Sequence, residues 1–453
     1  MYQWQELAVA LRELRAALFF FQEIPENAQE RLKTAVHTVL QFVNLPFFLK
    51  KQLTAVFTTK GDLSAPPLQT DTLQELVYAI EKCIDLANNE GQPSPASNAL
   101  PPLLQGSFEE NDSCSEVGAG AEPPTKFAEV RVFFATDRKK ESSKKPAELF
   151  SAQRSEKMHY GTCNVSIPHN HKMGELESPS IWRFEFRNDP KKHVVLLSVT
   201  ERNKKEFFAQ AAECATEADA DSAFIFVHGY NVTFEDAARR TAQMTYDLQF
   251  QGAPIFYSWP SHGRTTAYTK DEENVRWSQG NLKTFLDEFM KESAVRDIHI
   301  IAHSMGNRAV TGALCELFKE KPESRKRIKE LILTAPDIDA DIFKRDIMPV
   351  LTSPNASVTL YASSKDLALE ASRKVHGYQR AGDSGQNIVI CNGLETIDAS
   401  DVTTDFLGHS YFAQAKSVIT DIFELICNQR NGQRFWLNNM RTPQGEAYWK
   451  FTK

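Results

Sequence analysis

Ser304 stands in the stretch "IIAHSMGNRAV" (Ile300 to Val310), with Ala302 two residues before it and Gly306 two after. A serine hydroxyl is a weak nucleophile. It becomes a useful one when a base takes its proton and fixed N–H donors receive the charge it pushes onto a carbonyl oxygen. The pattern small-x-Ser-x-Gly decides little alone, because a chain of this size carries an accidental match about once every few proteins. Its context decides more. "DIHIIAHS" reads as a buried strand and "MGNRAVTGALCELFK" as a helix, which puts Ser304 on a sharp strand-to-helix turn. The residues two before and two after must be small there, because strand and helix pass close to each other. Ala302, where Gly is more usual, adds only one methyl. The N–H of Met305, at the positive end of the helix, is then an expected oxyanion donor.

A second donor is expected from the turn after an earlier strand. "FIFVHGYN" ends such a strand at His228-Gly229, about 75 residues before Ser304, and the glycine would let the chain aim the Tyr230 N–H at the same pocket. His228 reads as a hydrogen-bonded turn residue. The acid and the base should follow in chain order at the ends of later strands. "VTLYASSKD" places Asp366 just past a strand, and "GHSYF" places His409 after the apolar run "NIVICN" and before a helix from Ser410 to Cys427. The imidazole would shuttle the Ser304 proton while Asp366 holds its tautomer. His376 is a rival base, and Asp337, Asp339, Asp398 and Asp401 are rival acids. Trp259, in "YSWPS", lines the acyl pocket or fills the core. Ser261 to Trp277 is a candidate lid.

His159, Cys163, His169 and His171 fall close together, but their spacing fits no zinc pattern, and no HExxH occurs. The expectation is a surface turn, with no metal and no organic cofactor.

These residues need a scaffold. From Phe127 onward, short apolar runs alternate with helical patterns: "EVRVFFAT", "HVVLLSV", "SAFIFVHG", "APIFYSW", "DIHIIAHS", "KELILTA", "SVTLYAS" and "QNIVICN". Runs so continuous in Ile, Val, Leu and Phe predict central strands buried on both faces, in an α/β fold with a largely parallel sheet. Residues 1–90 differ. Leu73, Leu76, Val77, Ile80 and Ile84 recur at helical spacing, and Thr72 with Glu75 forms a capping-box start. A small all-α bundle is expected there, with the phenylalanines of "LFFF" and "LPFFL" in its core. Residues 91–126, rich in Pro, Ser, Gly and acid, read as a flexible linker, which leaves 127–453 as the α/β domain.

Composition is that of an ordinary globular protein, 42% hydrophobic and 25% charged, and a net charge of -7 offers no global attraction to nucleic acid. The seven cysteines are scattered without a CxxC pair, as in reduced intracellular proteins. No stretch approaches a membrane span, and "MYQWQELAVALRELR" does not read as a secretory signal, so a cytoplasmic protein is expected.

Taken together, "VRVFFATDR", "YGTCNVSIP", "HKMGELE", "VHGYN", "YSWPS", "AHSMGNR", "APDID", "YASSKD" and "GHSYF" resemble the alpha/beta-hydrolase superfamily, more narrowly a bacterial family of esterase/lipase-like proteins. The resemblance covers about residues 127–430 and leaves the N-terminal region out. It implies an alpha/beta-hydrolase fold, a triad of Ser304, Asp366 and His409, and oxyanion donors at Met305 and Tyr230. The expected activity is a serine esterase cleaving lipid or small acyl esters, though the same groups serve thioesters and amides. The N-terminal helices would recruit a partner, self-associate or gate the enzyme. The rival expectation is a catalytically silent scaffold of the same fold.

Overall fold

The computed structural model describes residues 127–451 except 175, 179–187, 218–220, 264–266, 353–356, 403–411 and 427–436. The predicted bundle (1–90) and linker (91–126) lie outside the described residues. So does His409.

One sheet carries β1 (Phe127–Lys140), β2 (Phe150–Pro168), β3 (Val195–Arg202), β4 (Ser222–Val227), β5 (Ala253–Ser258), β6 (Asp297–His303), β7 (Ile328–Thr334), β8 (Ser357–Ala362), β9 (Leu394–Asp398), β10 (Leu437–Arg441) and β11 (Ala447–Phe451). Their order across it is β10-β11-β9-β8-β7-β6-β4-β5-β1-β2-β3. Strands run parallel from β1 through β5, β4, β6, β7, β8 and β9 to β11. Only β2, β3 and β10 are antiparallel to their neighbours. This is the alpha/beta-hydrolase fold, with a mostly parallel central sheet flanked by helices.

The central strands are apolar throughout because both faces are covered. In β4, Ala223, Ile225 and Val227 face one side, with α1 (Lys204–Glu217), α3 (Tyr268–Glu292) and α4 (Gly306–Glu320) packed there through Phe207, Phe285, Phe289 and Leu314. Phe224 and Phe226 face the other side, against α2 (Phe234–Asp247) and α6 (Phe412–Ile426). Each fully buried phenylalanine contributes roughly 1.5–3 kcal/mol, so the period-two alternation fixes which face each strand presents. Among the described residues, no helix is long and apolar enough to cross a membrane.

Three expectations change. "QNIVICN" is not a strand: Ile388 and Val389 pack into the core without pairing, Gly393 turns the chain at φ 78°, and the strand follows as β9. Within the candidate lid Ser261 to Trp277, the stretch from Tyr268 onward is the start of α3, which buries Tyr268, Asp271, Asn274 and Val275. The histidines also do not share one surface turn. His159 and Cys163 lie on β2, and His171 is sealed between two carboxylates, Nδ1 to Glu177 Oε2 and Nε2 to Asp247 Oδ1, both 2.8 Å.

That pair of contacts ties the loop after β2 to the last turn of α2. Burial opposes the charged ring, but the hydrogen bonds and charges of Asp247 and Glu177 outweigh it and lift the His171 pKa from 6.5 to about 9. A raised folded-state pKa gives stability that is complete below the unfolded value and lost as pH climbs through the folded one. The wild type should therefore lose several degrees of melting temperature between about pH 6.5 and 9. His171→Gln should melt lower at neutral pH and give a flatter profile. Calorimetric profiles that ran parallel would remove the latch.

The strand order also fixes where a ligand crevice opens. From β4 the chain crosses to β5 on one side, and from β6 it crosses to β7 on the other. Their carboxyl ends are adjacent, with Val227 paired to Ala302, so this is the switch point of the sheet.

Candidate active site

Ser304 follows β6 at this switch point and adopts φ 47°, a left-handed conformation that costs a non-glycine residue roughly 1–2 kcal/mol. Its surroundings over-determine it. The Ser304 N–H donates to Thr334 O at 2.9 Å. Its carbonyl accepts from the Asn307 N–H at 3.1 Å, the Asp337 N–H at 3.3 Å and Asn307 Nδ2 at 2.9 Å. Asn307 Nδ2 also reaches Thr334 O at 3.1 Å, so one buried amide joins the elbow to the end of β7. Asn307→Ala strips two carbonyls of this donor and should cost about 2 kcal/mol. Urea denaturation measures it, and an unchanged midpoint would show the amide to be dispensable.

Two glycines let the chains close on this turn. A Cβ on Gly306 would sit 2.8 Å from Val227 O and closer still to His228 O, and one on Gly229 would meet Ser304 Cβ at 3.0 Å. Met305 is the N-cap of α4 without a side-chain cap, and the first turn holds no acidic residue, so no carboxylate offsets the positive end of the helix there. Ser304 is 6% exposed.

The loop after β4 lies alongside. His228 Nδ1–H donates to Gly229 O at 2.7 Å, leaving Nε2 to accept from Ser258 Oγ at 3.2 Å. Burial, then the Arg138 charge, holds this ring well below the ordinary histidine range, so it is neutral and structural. Trp259 is 0% exposed; its indole donates to His228 O at 2.8 Å and stacks on the His228 ring. Tyr230 sits in this loop, its ring edge-on to Tyr268.

Asp366 stands past the end of β8, half-buried, where one carboxylate oxygen accepts the Leu369 N–H at 3.0 Å at the start of α5 (Leu367–His376). The rival acids serve other partners. Asp337 takes Tyr268 Oη at 2.7 Å, Arg308 Nη2 at 3.0 Å, Ser372 Oγ and Arg380 Nε. Asp339 caps the short helix Ala340–Ile342, and Asp398 accepts from Ser400. Asp401 lies 3.1 Å from Lys450 Nζ. His376, the rival base, faces Glu272 at 3.2 Å, and burial followed by the Arg380 charge pushes its pKa down.

Three groups beside the site escape sequence reasoning: Asn307, Arg308 clamped onto Asp337, and Arg138, whose guanidinium is buried next to the loop after β4. The one signal was "TDR", polar residues directly after the apolar run "VFFA" of β1. Among the described residues no cluster of three or more His, Cys, Asp or Glu is placed to hold a metal ion.

Residues 204–429 match the family model described as "Alpha/beta hydrolase of unknown function (DUF900)". No curated protein matches the chain. Among solved structures, lipase B of Aspergillus fumigatus aligns at 11% identity and TM-score 0.27 over 39% of this chain and 44% of that one. The chain thus spans less than half the length of that lipase. A Trichoderma reesei cutinase in complex with a C11Y4 phosphonate inhibitor aligns at 12% identity and TM-score 0.22, over 33% and 72% of the two chains. Esterase B from Lactobacillus rhamnosis, inhibited by C6-C4 SN3, gives 11% and 0.27 over 58% and 90%. Likenesses this loose bear on no question of chemistry.

Proposed function

We propose that this chain, which belongs to the alpha/beta-hydrolase superfamily, is a serine hydrolase that cleaves carboxylic esters through an acyl-enzyme on Ser304. The observation that carries the reading is the left-handed Ser304 at the switch point, held by Asn307, Asp337 and Thr334 and packed against Gly229. A fold has little reason to keep a strained serine at the carboxyl ends of its central strands unless the strain aims the hydroxyl.

In the proposed reaction, His409 takes the Ser304 proton as Oγ bonds to the carbonyl carbon. Asp366 orients the imidazole and stabilises it once charged. The N–H groups of Met305 and Tyr230 receive the oxyanion. As the tetrahedral intermediate collapses, the C–O bond to the alcohol breaks and His409 hands that alcohol the proton. Water then repeats the sequence on the acyl-enzyme and frees the acid and Ser304. Lipid or small acyl esters are the substrate class. Residues 1–90 are proposed to recruit or gate this domain.

The test is labelling of the full chain by a fluorophosphonate, located by peptide mass. An adduct on Ser304 supports the reading, and an ester panel then sets chain length. A folded protein that takes no label and cleaves no ester would be a binding module instead.

A further inference from the structure

Arg138 lies near the end of β1 and is 1% exposed. A buried cation costs several kcal/mol unless its N–H groups are used. Here they are: Nε donates to Ser258 Oγ at 2.8 Å, Nη1 to Ser261 O at 2.8 Å, and Nη2 to Val232 O at 2.8 Å. Burial, countered by Asp271 and Asp137, brings the guanidinium only to about 10, so it stays charged at neutral pH.

Joining β1 to β5 does not require this. The ladder from Phe133–Ile255 to Thr136–Ser258 already does so, reinforced by Thr136 Oγ1 donating to Ser258 O at 2.6 Å. What Arg138 adds is a grip on the two loops beyond the strands, 228–232 and 259–262. Asp271, in the first turn of α3, grips them from the helix side. Its carboxylate accepts the Asn231 N–H at 3.3 Å, Ser261 Oγ at 2.6 Å, and the His262 N–H at 2.9 Å. Ser261 Oγ in turn accepts the Val232 N–H at 3.1 Å. The loop after β4 is therefore pinned at His228, Asn231 and Val232, with Asn231 held at φ 60°. Tyr230 lies between the pins.

We propose that Arg138 and Asp271 are positioning residues: they brace the 228–232 loop so that the Tyr230 N–H meets the oxyanion formed at Ser304. This rests on the serine-hydrolase reading above. A brace of this kind acts only when charge develops on the carbonyl oxygen, so its loss should appear in turnover and not in substrate binding.

The experiment uses the full chain, p-nitrophenyl butyrate, and an alkyl boronic acid, whose tetrahedral adduct on a serine places an anionic oxygen where the oxyanion would be. Arg138→Lys keeps the charge but cannot span three separated acceptors. Its kcat and its boronate affinity should each fall about 100-fold while KM stays within about threefold. Ser261→Ala, a milder change, should lower both by about tenfold with an unaltered circular dichroism spectrum. If both variants match wild type, or Ser261→Ala loses activity only in step with melting temperature, the brace is overturned while wild-type turnover leaves the serine reading intact. A folded wild type inert to ester and boronate overturns both.

Discussion

Ser304→Ala should lower kcat on a nitrophenyl ester by about ten-thousand-fold or more and abolish fluorophosphonate labelling, with the fold unchanged. His409→Ala should cost nearly as much if the proposed mechanism holds, because nucleophile and base then act as one unit and removing either removes the shared step. Asp366→Asn should cost less, since in the proposed mechanism it only orients and stabilises the base. The ranking matters more than any single value. His376 faces Glu272 and not a strand-end acid, so His376→Ala is expected to stay within about tenfold of wild type. If His376→Ala were dead and His409→Ala active, the base assignment would reverse. If Ser304→Ala kept its rate, no triad would remain to assign.

Gly306→Ala should be among the damaging single-methyl changes in the domain and the one that strikes the nucleophile turn. The added carbon would press on the backbone oxygens of Val227 and His228, and backbone cannot swing aside as a side chain does. Helix α4 would have to lift from β4, at a cost of about 3 kcal/mol. The displacement moves Ser304 against the 228–232 loop as well, so activity should fall at least 100-fold even where the protein remains folded. Gly280→Ala is the control: it lies on α3 with nothing within 4 Å of the new methyl. There the change should stabilise by about 0.5–1 kcal/mol, because a helix interior prefers alanine. Denaturant midpoints of the two variants on the same side of wild type would contradict the packing account.

Elements that depend on neighbours in the chain were legible in the sequence. The strand–turn–helix around Ser304 is such a case: apolar "IHIIA", a small residue on each side, then the helical spacing of Val310, Leu314 and Leu317 announce it within twenty residues or so. Sheet class was legible for the same reason, since β4, β5 and β6 are each apolar on both faces. What escaped depends on partners far away. Arg138 meets Val232 and Ser261, and Asp271 meets Asn231, but no local period marks a buried cation or the carboxylate that shares its load. His171 looked like one more loop histidine because Asp247 lies 76 positions further on. The start of α3 was obscured by its polarity, "TKDEEN", although Tyr268, Asp271 and Asn274 point inward to serve specific partners. "NIVICN" misled because apolar residues fill a core equally well without joining a ladder, and Gly393 shifts the pairing segment onward.

The distances along the chain that Arg138 closes also set an order of events during folding. Its three strongest bonds bridge separations of 94, 120 and 123 residues, so none forms until β4, β5 and the segment after them have assembled around β1. A guanidinium sheds its water only when every replacement acceptor is waiting, and closing loops of this length is slow compared with forming helices or hairpins. Dehydration of this one side chain therefore cannot precede the docking of β4 and β5 beside β1, the same event that gives the mouth of the crevice its shape.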